Sequence, residues 1–391
     1  MMQRIGKKAE LALRHGLVYP LLRSVLRNTP TNAVVDIKTV RNILILRGDG
    51  IGDMIVSTPM FRRLKQANPA IHLAVFASDK NAEIIRPNPF VDRVFILRRN
   101  WRGLIGEVIA ARRRRYDVVV NFVFNRTTLE GILANLIAPH GIKIGQGLEK
   151  YRFYFNRFLS IDHTQLHMVE ILAGMIQSVF GIKTNAKSLS YDLFVDQSSR
   201  EKVDEFLKSN SLTRSRPGRQ THAYMLINFS AVDALRRMSV DQVERCLRYV
   251  LEHRQEQPVL ICPPIDVYRL QEVIGRFKGN TVLKYPDAGV AGLLEIASLI
   301  EGAAYVITPD TSIIHFASAM GTPLFALYTP TAARNHQWMP YGVYYRSRRA
   351  SEGQSVSSIP LKEIVAGLRE FFADLHTRNR VVQRKKVFRR L

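Results

Sequence analysis

The chain has 391 residues, 46% of them hydrophobic, enough for substantial cores in two or three domains and inconsistent with wholesale disorder. Its 57 Lys and Arg against 33 Asp and Glu give a net charge of +24, a field that attracts a polyanion: nucleic acid, an anionic membrane surface or a phosphorylated substrate. No RRM, KH, zinc-finger or homeodomain pattern is present, which sets nucleic acid aside, and the two cysteines, Cys246 and Cys262, form no metal-binding or disulfide pattern.

Residues 1–41 read as a basic amphipathic segment. Leu11, Leu13, Leu17, Val18, Leu21, Leu22, Val25 and Leu26 lie among scattered Lys and Arg. The pattern permits an amphipathic helix, interrupted near Pro20, lying on an anionic leaflet or on the protein's own surface. It has neither the apolar core nor the cleavage site of a signal peptide. No run of about 18 apolar residues exists to span a membrane.

From Asn42 the apolar pattern becomes regular. Asn42–Arg47 is a continuous apolar run, as in a strand buried on both faces, further strands are read at His72–Phe76, Val94–Leu97 and Asp117–Phe122, and a short one begins at Lys143–Gly145. Helical spacing fills Met54–Gln66, Leu104–Arg115, Leu129–Ala138 and a stretch from His167 to about Phe180. A polar stretch, Lys208–Thr221, reads as a loop. The alternation then restarts, with strands at Tyr224–Asn228, Pro258–Cys262, Thr281–Lys284, Tyr305–Thr308 and Leu324–Leu327. Helices are expected at Val240–His253, Tyr268–Phe277, Leu293–Ile300, Ile313–Met320 and Leu361–Leu375. Strands alternating with helices imply parallel, doubly wound sheets, so the chain is α/β with two Rossmann-like domains, 42–190 and 191–375, facing a central cleft. Residues 376–391 read as a basic tail, either a solvated end or a membrane contact. In open parallel sheets ligands bind at the carboxyl ends of strands, so those turns are the candidate sites.

The turn after the first strand reads RGDGIGD. Gly48, Gly50 and Gly52 permit a tight turn and close backbone approach. Asp53 stands where a dinucleotide fingerprint needs its third glycine, and its carboxylate would repel a pyrophosphate, which argues against NAD; no P-loop is present either. Asp53 is a helix N-cap or a general base for a hydroxyl nucleophile.

In the second half, ITPDTSIIHFASAMGTPLFALYTPT places Asp310, Thr311 and Ser312 at a helix start, suited to a diphosphate, with His315 within the first turn or two. Capping by Asp310 and burial of His315 as a helical histidine are the alternatives. Arg236 and Arg237, after the strand ending at Asn228, are placed to neutralise a leaving diphosphate or to be surface charges. No Asp-x-Asp motif occurs, which favours a site without metal.

These segments together resemble glycosyltransferase family 9, the ADP-heptose:lipopolysaccharide heptosyltransferases. The resemblance runs from Asn42 to about Gly342. NILILRGDGIGDMIVSTPMFRRLKQANP is similar to the family's opening strand, Gly-Asp turn and Thr-Pro helix, and DVVVNFVFNRTTLEGILANLIAPHGIKIGQ to its third strand. HMVEILAGMIQSVFGI resembles its His-x-Val-Glu helix, and the Asp-Thr, Gly-x-Pro and Pro-Thr series resembles its most specific signature. The resemblance implies a GT-B fold and inverting transfer of a heptose or related sugar, with Asp53 as catalytic acid-base. Asp310, Thr311, Ser312 and His315 would bind the donor, and Arg236, with Arg237 close behind, the diphosphate. It implies no cofactor: the donor, ADP-heptose, is a substrate. The partners implied are that nucleotide sugar and an anionic lipid-linked oligosaccharide acceptor at the cytoplasmic face of the inner membrane. The sequence departs from the family after the strand ending at Asn228, where NFSAVDALRRMS has neither tryptophan nor proline, and Pro309 and Ser312 replace the usual Asn and Gly. Transfer of a different sugar, or binding without turnover, are the readings those departures leave open.

Overall fold

The computed structural model describes residues 19–26, 28–98, 100–124, 128–161, 165–185, 188–215, 222–330 and 337–388, with only the backbone of 280 and 378–388. A short helix, α1 (Tyr19–Val25), precedes the first sheet. That sheet's half contains β1 (Asn42–Arg47), α2 (Ile51–Ala67), β2 (His72–Ser78), α3 (Ala82–Ile85), β3 (Arg93–Leu97) and α4 (Trp101–Arg112). It continues with β4 (Val118–Asn121), α5 (Thr128–Ile137), β5 (Ile142–Gln146), a 3-10 turn (Glu149–Tyr154), β6 (Arg157–Leu159) and α6 (Met168–Phe180). The second half contains α7 (Gln197–Ser209), β7 (Tyr224–Asn228), α8 (Val240–His253), β8 (Gln257–Ile261), α9 (Val267–Gly275) and β9 (Leu283–Tyr285). It ends with α10 (Leu293–Gly302), β10 (Val306–Pro309), α11 (Ile313–Met320), β11 (Leu324–Tyr328), β12 (Tyr345–Arg349) and α12 (Leu361–Phe388).

Both sheets have six parallel strands, in the orders β3-β2-β1-β4-β5-β6 and β9-β8-β7-β10-β11-β12. The second repeats the topology of the first strand for strand. Each is the doubly wound order in which the chain reverses direction beside the first strand, at β1/β4 and at β7/β10. Central strands are covered on both faces, which is why Ile43, Leu44, Ile45 and Leu46 form an unbroken apolar run.

Helix α2 joins the halves. Its Met54, Ile55 and Phe61 share one buried cluster with Ile314, Phe316 and Ala317 of α11. Burying a side chain such as Phe61 contributes roughly 1.5–3 kcal/mol. The His-x-Val-Glu segment gains a physical explanation at the start of α6. His167 Nδ1 accepts from the Val169 N–H at 3.2 Å, and Glu170 Oε2 accepts from the His167 N–H at 3.0 Å. This reciprocal cap satisfies donors that a helix start leaves open. Because Nδ1 accepts, the ring proton lies on Nε2, which donates to the Met339 carbonyl of the second half at 3.0 Å.

Several elements differ from the sequence reading. Helix α2 begins at Ile51, three residues before Met54, so Gly50 and not Asp53 is its N-cap. Helix α7, strands β6 and β12, and the extension of the last helix from Leu375 to Phe388 were not anticipated. The first part of the expected basic tail is therefore helical. Pro20 lies at the start of the described part of α1, and the expected interruption of a longer helix near it depends on residues outside the described ones. Residues 1–18 of the N-terminal segment lie outside the described residues. No helix among the described residues is long and apolar enough to cross a membrane.

Candidate functional site

The two switch points share one cleft of about 820 Å³. The turn after β1 lines it with Gly50, Gly52 and Asp53, and the loop after β7 with Ser230, Asp233 and Arg236. Asp310, Thr311 and Ser312 after β10, and His315 of α11, complete the polar part of the lining. The structure therefore brings together all the predicted site residues except Gly48 and Arg237, which lie outside the lining.

Asp53 is held by its own turn. As the third residue of α2 it reaches back, and its Oδ2 accepts from the Gly50 N–H at 3.1 Å. Its Oδ1 lies 3.4 Å from Nη2 of Arg47, the last residue of β1 and 0% exposed. The same guanidinium donates through Nε to the Asp53 carbonyl at 3.0 Å, through Nη1 to Asp49 Oδ2 at 3.0 Å, and to the Phe122 carbonyl. A buried cation requires such pairing, and Arg47 thereby fixes the turn against β4. Burial pushes the Asp49 carboxyl up to about 7, against the pull of Arg47 and with the neighbouring Asp53 adding to the rise. Asp49 Oδ1 is buried with no hydrogen-bond partner.

The glycines serve close approach rather than unusual backbone angles. A Cβ on Gly52 would overlap Cδ2 of His315 and come within 3.1 Å of its Nε2, so the start of α2 and the first turn of α11 touch only because residue 52 has no side chain. A Cβ on Gly50 would overlap the Asp53 carboxylate. His315 is buried among Gly52, Tyr191 and Trp338, and its Nδ1 has no hydrogen-bond partner. Burial, reinforced by His167, pushes its pKa down to about 3, so it meets any ligand as a neutral imidazole.

Opposite Asp53, Arg236 ends a 3-10 turn (Ala234–Arg236), and its Nη1 lies 3.4 Å from Asp310 Oδ2. Asp310 is thus an ion-pair partner rather than a helix cap. Thr311 Oγ1 accepts from the Ile313 N–H at 3.3 Å and from Asn228 Nδ2 at 3.2 Å. Asn228 also donates to Thr308 Oγ1 at 3.0 Å, locking the ends of β7 and β10 together. Ser312 occupies the N-cap position of α11 without a side-chain cap bond. Among the described residues no carbonyl accepts the N–H of Thr311 or Ser312, which suits a helix start to an anion. Arg237 serves another purpose: its Nε donates to the Ala231 carbonyl at 2.8 Å, and its Nη1 lies 3.8 Å from the buried Asp266.

The rest of the cleft is apolar on the second half, with Val232, Pro263, Val267 and Val290, while Lys80 adds a cation from the first half. Across the cleft, Glu83 Oε1 accepts from the Leu294 N–H at 3.1 Å and so caps α10 from the opposite half. Among the described residues no cluster of His, Cys, Asp or Glu is suited to a metal ion. Sequence reasoning missed Arg47 and Asn228, although a polar residue closing an apolar strand marks both. For Lys80 and Trp338 the sequence carries no comparable signal.

Residues 110–357 match the family profile described as glycosyltransferase family 9 (heptosyltransferase). The chain belongs to this family. A curated relative, the lipopolysaccharide core heptosyltransferase OpsX of Haemophilus influenzae, is 18% identical over 336 residues, covering 82% of this chain and 89% of that protein. Among solved structures, a family 9 glycosyl transferase from Veillonella parvula superposes with a TM-score of 0.72 at 18% identity, covering 88% of this chain and all of that one. The E. coli heptosyltransferase WaaC with ADP gives 0.63 at 21% identity, covering 84% of this chain and 99% of that one. These likenesses establish the GT-B architecture, and family membership makes the chain a glycosyltransferase.

Proposed function

We propose that this family 9 enzyme transfers a heptose from ADP-heptose to a lipopolysaccharide core acceptor with inversion at the anomeric carbon. The observation that carries the reading is the convergence on one cleft of Asp53 from the first half and of Arg236 with the start of α11 from the second. Asp53 accepts the proton of the acceptor hydroxyl as its oxygen bonds to the anomeric carbon. The bond from that carbon to the diphosphate breaks on the opposite face, which inverts the centre. Arg236, oriented by Asp310, and the N–H groups of Thr311 and Ser312 take up the charge developing on the diphosphate. Each such contact supplies on the order of 3 kcal/mol to the transition state. The apolar wall at Pro263, Val267 and Val290 suits a nucleobase. Arg237 fastens the loop that presents Arg236.

The donor is inferred from relatives, WaaC having been solved with ADP, and the acceptor from OpsX. An acceptor anchored in lipid places the enzyme on the cytoplasmic face of the inner membrane, in keeping with a net charge of +24. Incubation with ADP-heptose and a heptose-deficient core acceptor tests the reading: a product one heptose heavier, with inverted anomeric configuration, is expected. Transfer only from a different nucleotide sugar would instead favour the second reading, a changed donor, which the loop NFSAVDALRRMS motivates.

A further inference from the structure

Among the described residues, the first sheet has one face packed against the rest of the molecule through α2 and α6, and one covered by α4 and α5 with α1 alongside. The inner side of α4, Leu104, Val108 and Ala111, packs on the sheet. Its outer side carries Trp101, Ile105 and Ile109, exposed 67%, 49% and 47%. Four-residue spacing stacks them along one helix face. The neighbouring α5 adds exposed Leu129 and Leu136. Helix α1 and the residues after it lie along α5, with Tyr19 Oη 2.9 Å from Thr128 Oγ1 and Asn28 donating to Asn135 at 2.9 Å. It contributes exposed Leu21 and Val25. An apolar surface spread over three adjacent helices is more than scattered exposure and marks a binding face.

Charge decides what covers it. Arg102 stacks over the Trp101 ring at 5.2 Å, and Arg112, Arg113, Arg114 and Arg115 follow at the far end of α4, all exposed. The single acid of α4, Glu107, faces Arg98 at 3.6 Å. A second copy of this chain on the same face would set the arginines against their own images, which is unfavourable. An anionic bilayer answers both features, with Trp at the interface, aliphatic side chains in the acyl boundary and Arg among the headgroups.

We propose that the outer face of α4, α5 and α1 docks the enzyme on an anionic phospholipid bilayer. The inference rests on the membrane location proposed above and assigns it to a surface. Helices that follow parallel strands start at the strands' carboxyl ends, so Trp101 and Leu129 stand at the end of the sheet where the cleft opens. Docking there brings the cleft close to the bilayer from which a lipid-linked acceptor emerges.

The test is sedimentation of the full chain with phosphatidylglycerol and phosphatidylcholine vesicles. Wild type is expected to bind the former and not the latter. Trp101→Glu with Ile105→Glu, and separately Arg113→Glu with Arg114→Glu, are expected to weaken binding to phosphatidylglycerol vesicles at least about tenfold. Melting temperature and turnover on a deacylated acceptor are expected to stay at wild-type values. Wild-type vesicle affinity in both double variants overturns the surface while leaving the membrane location to the chain ends. Absence of binding by the wild type overturns both.

Discussion

The backbone of Gly52 rests directly against the imidazole of His315, so the turn carrying Asp53 and the helix start carrying Thr311 meet across the His315 ring. Gly52, Asp53, Thr311 and His315 all line the cleft, so that contact ties its two polar turns together. Gly52→Ala inserts a methyl where His315 already stands. The fold is expected to survive, because each half keeps its own sheet. Turnover is expected to drop at least about tenfold, since small displacements of a positioned group are costly. Gly106→Ala in α4, where a Cβ would meet nothing within 4 Å, is the matched control and is expected to raise stability by about 0.5–1 kcal/mol. Equal turnover in Gly52→Ala and wild type would show that the contact does not govern the site.

Glu130 gives a pH signature. Burial pushes its carboxyl up to about 7, and Oε2 has no hydrogen-bond partner. The folded state therefore binds its proton more tightly than the unfolded chain does. The resulting stability is complete below pH about 4.5 and lost as pH rises through about 7. Glu130→Gln is expected to match wild type in thermal melts at pH 5. At pH 8.5 it is expected to be more stable by roughly 1–2 kcal/mol. A constant difference between the two pH values contradicts the linkage.

His315 has the opposite sign. With its pKa pushed down to about 3, it stays neutral while an unfolded histidine protonates, so its contribution to stability is lost as pH falls below about 6.5 toward 3. NMR of ring-labelled protein between pH 5 and pH 8 is expected to show His315 resonances without titration. A midpoint in that window means the imidazole is accessible to protons and can act as a cation toward the donor.

The neighbouring arginines separate by role. Arg236→Ala is expected to lower kcat about a hundredfold by removing a cation from the leaving group. Arg237→Ala leaves the buried Asp266 with less compensation, and is expected to lower the melting temperature while reducing kcat less than about tenfold. Steady-state kinetics beside thermal melts distinguish the two, and the reverse ranking of kcat effects would exchange the assignments.

Much of this architecture was legible because central parallel strands are buried on both faces and leave unbroken apolar runs, as at Asn42–Arg47 and Tyr224–Asn228. The edge strands β6 and β12 leave no such run, unlike the edge strand β3, whose VFIL could be read. β12 reads YRSRR, its Arg346 paired to Asp374 and its Arg348 to Glu370, and nothing in its composition marks a strand. β6 is three residues long and is defined by its pairing with β5. Helix α7 carried a usable signal, Asp196 as cap followed by Val203, Phe206 and Leu207 on one face, within a charged stretch that obscured it. In the site, the turns could be placed from the sequence, but the division of labour within them could not. Arg47 pairing with both Asp49 and Asp53, and Arg237 serving Asp266 rather than the cleft, depend on side-chain directions across segments distant in sequence.

Removal of the acceptor proton by Asp53 is the central step of the proposed transfer. Asp53→Asn keeps the size of the side chain and an oxygen able to accept from the Gly50 N–H, while taking away the base. Single-turnover transfer from ADP-heptose to the core acceptor, read beside the Kd for ADP and a thermal melt, tests it directly. The expected result is a transfer rate at least about a hundredfold lower, with ADP affinity and melting temperature near wild type. A transfer rate within about threefold of wild type in a fully folded variant would contradict it and leave Asp53 as part of the turn alone.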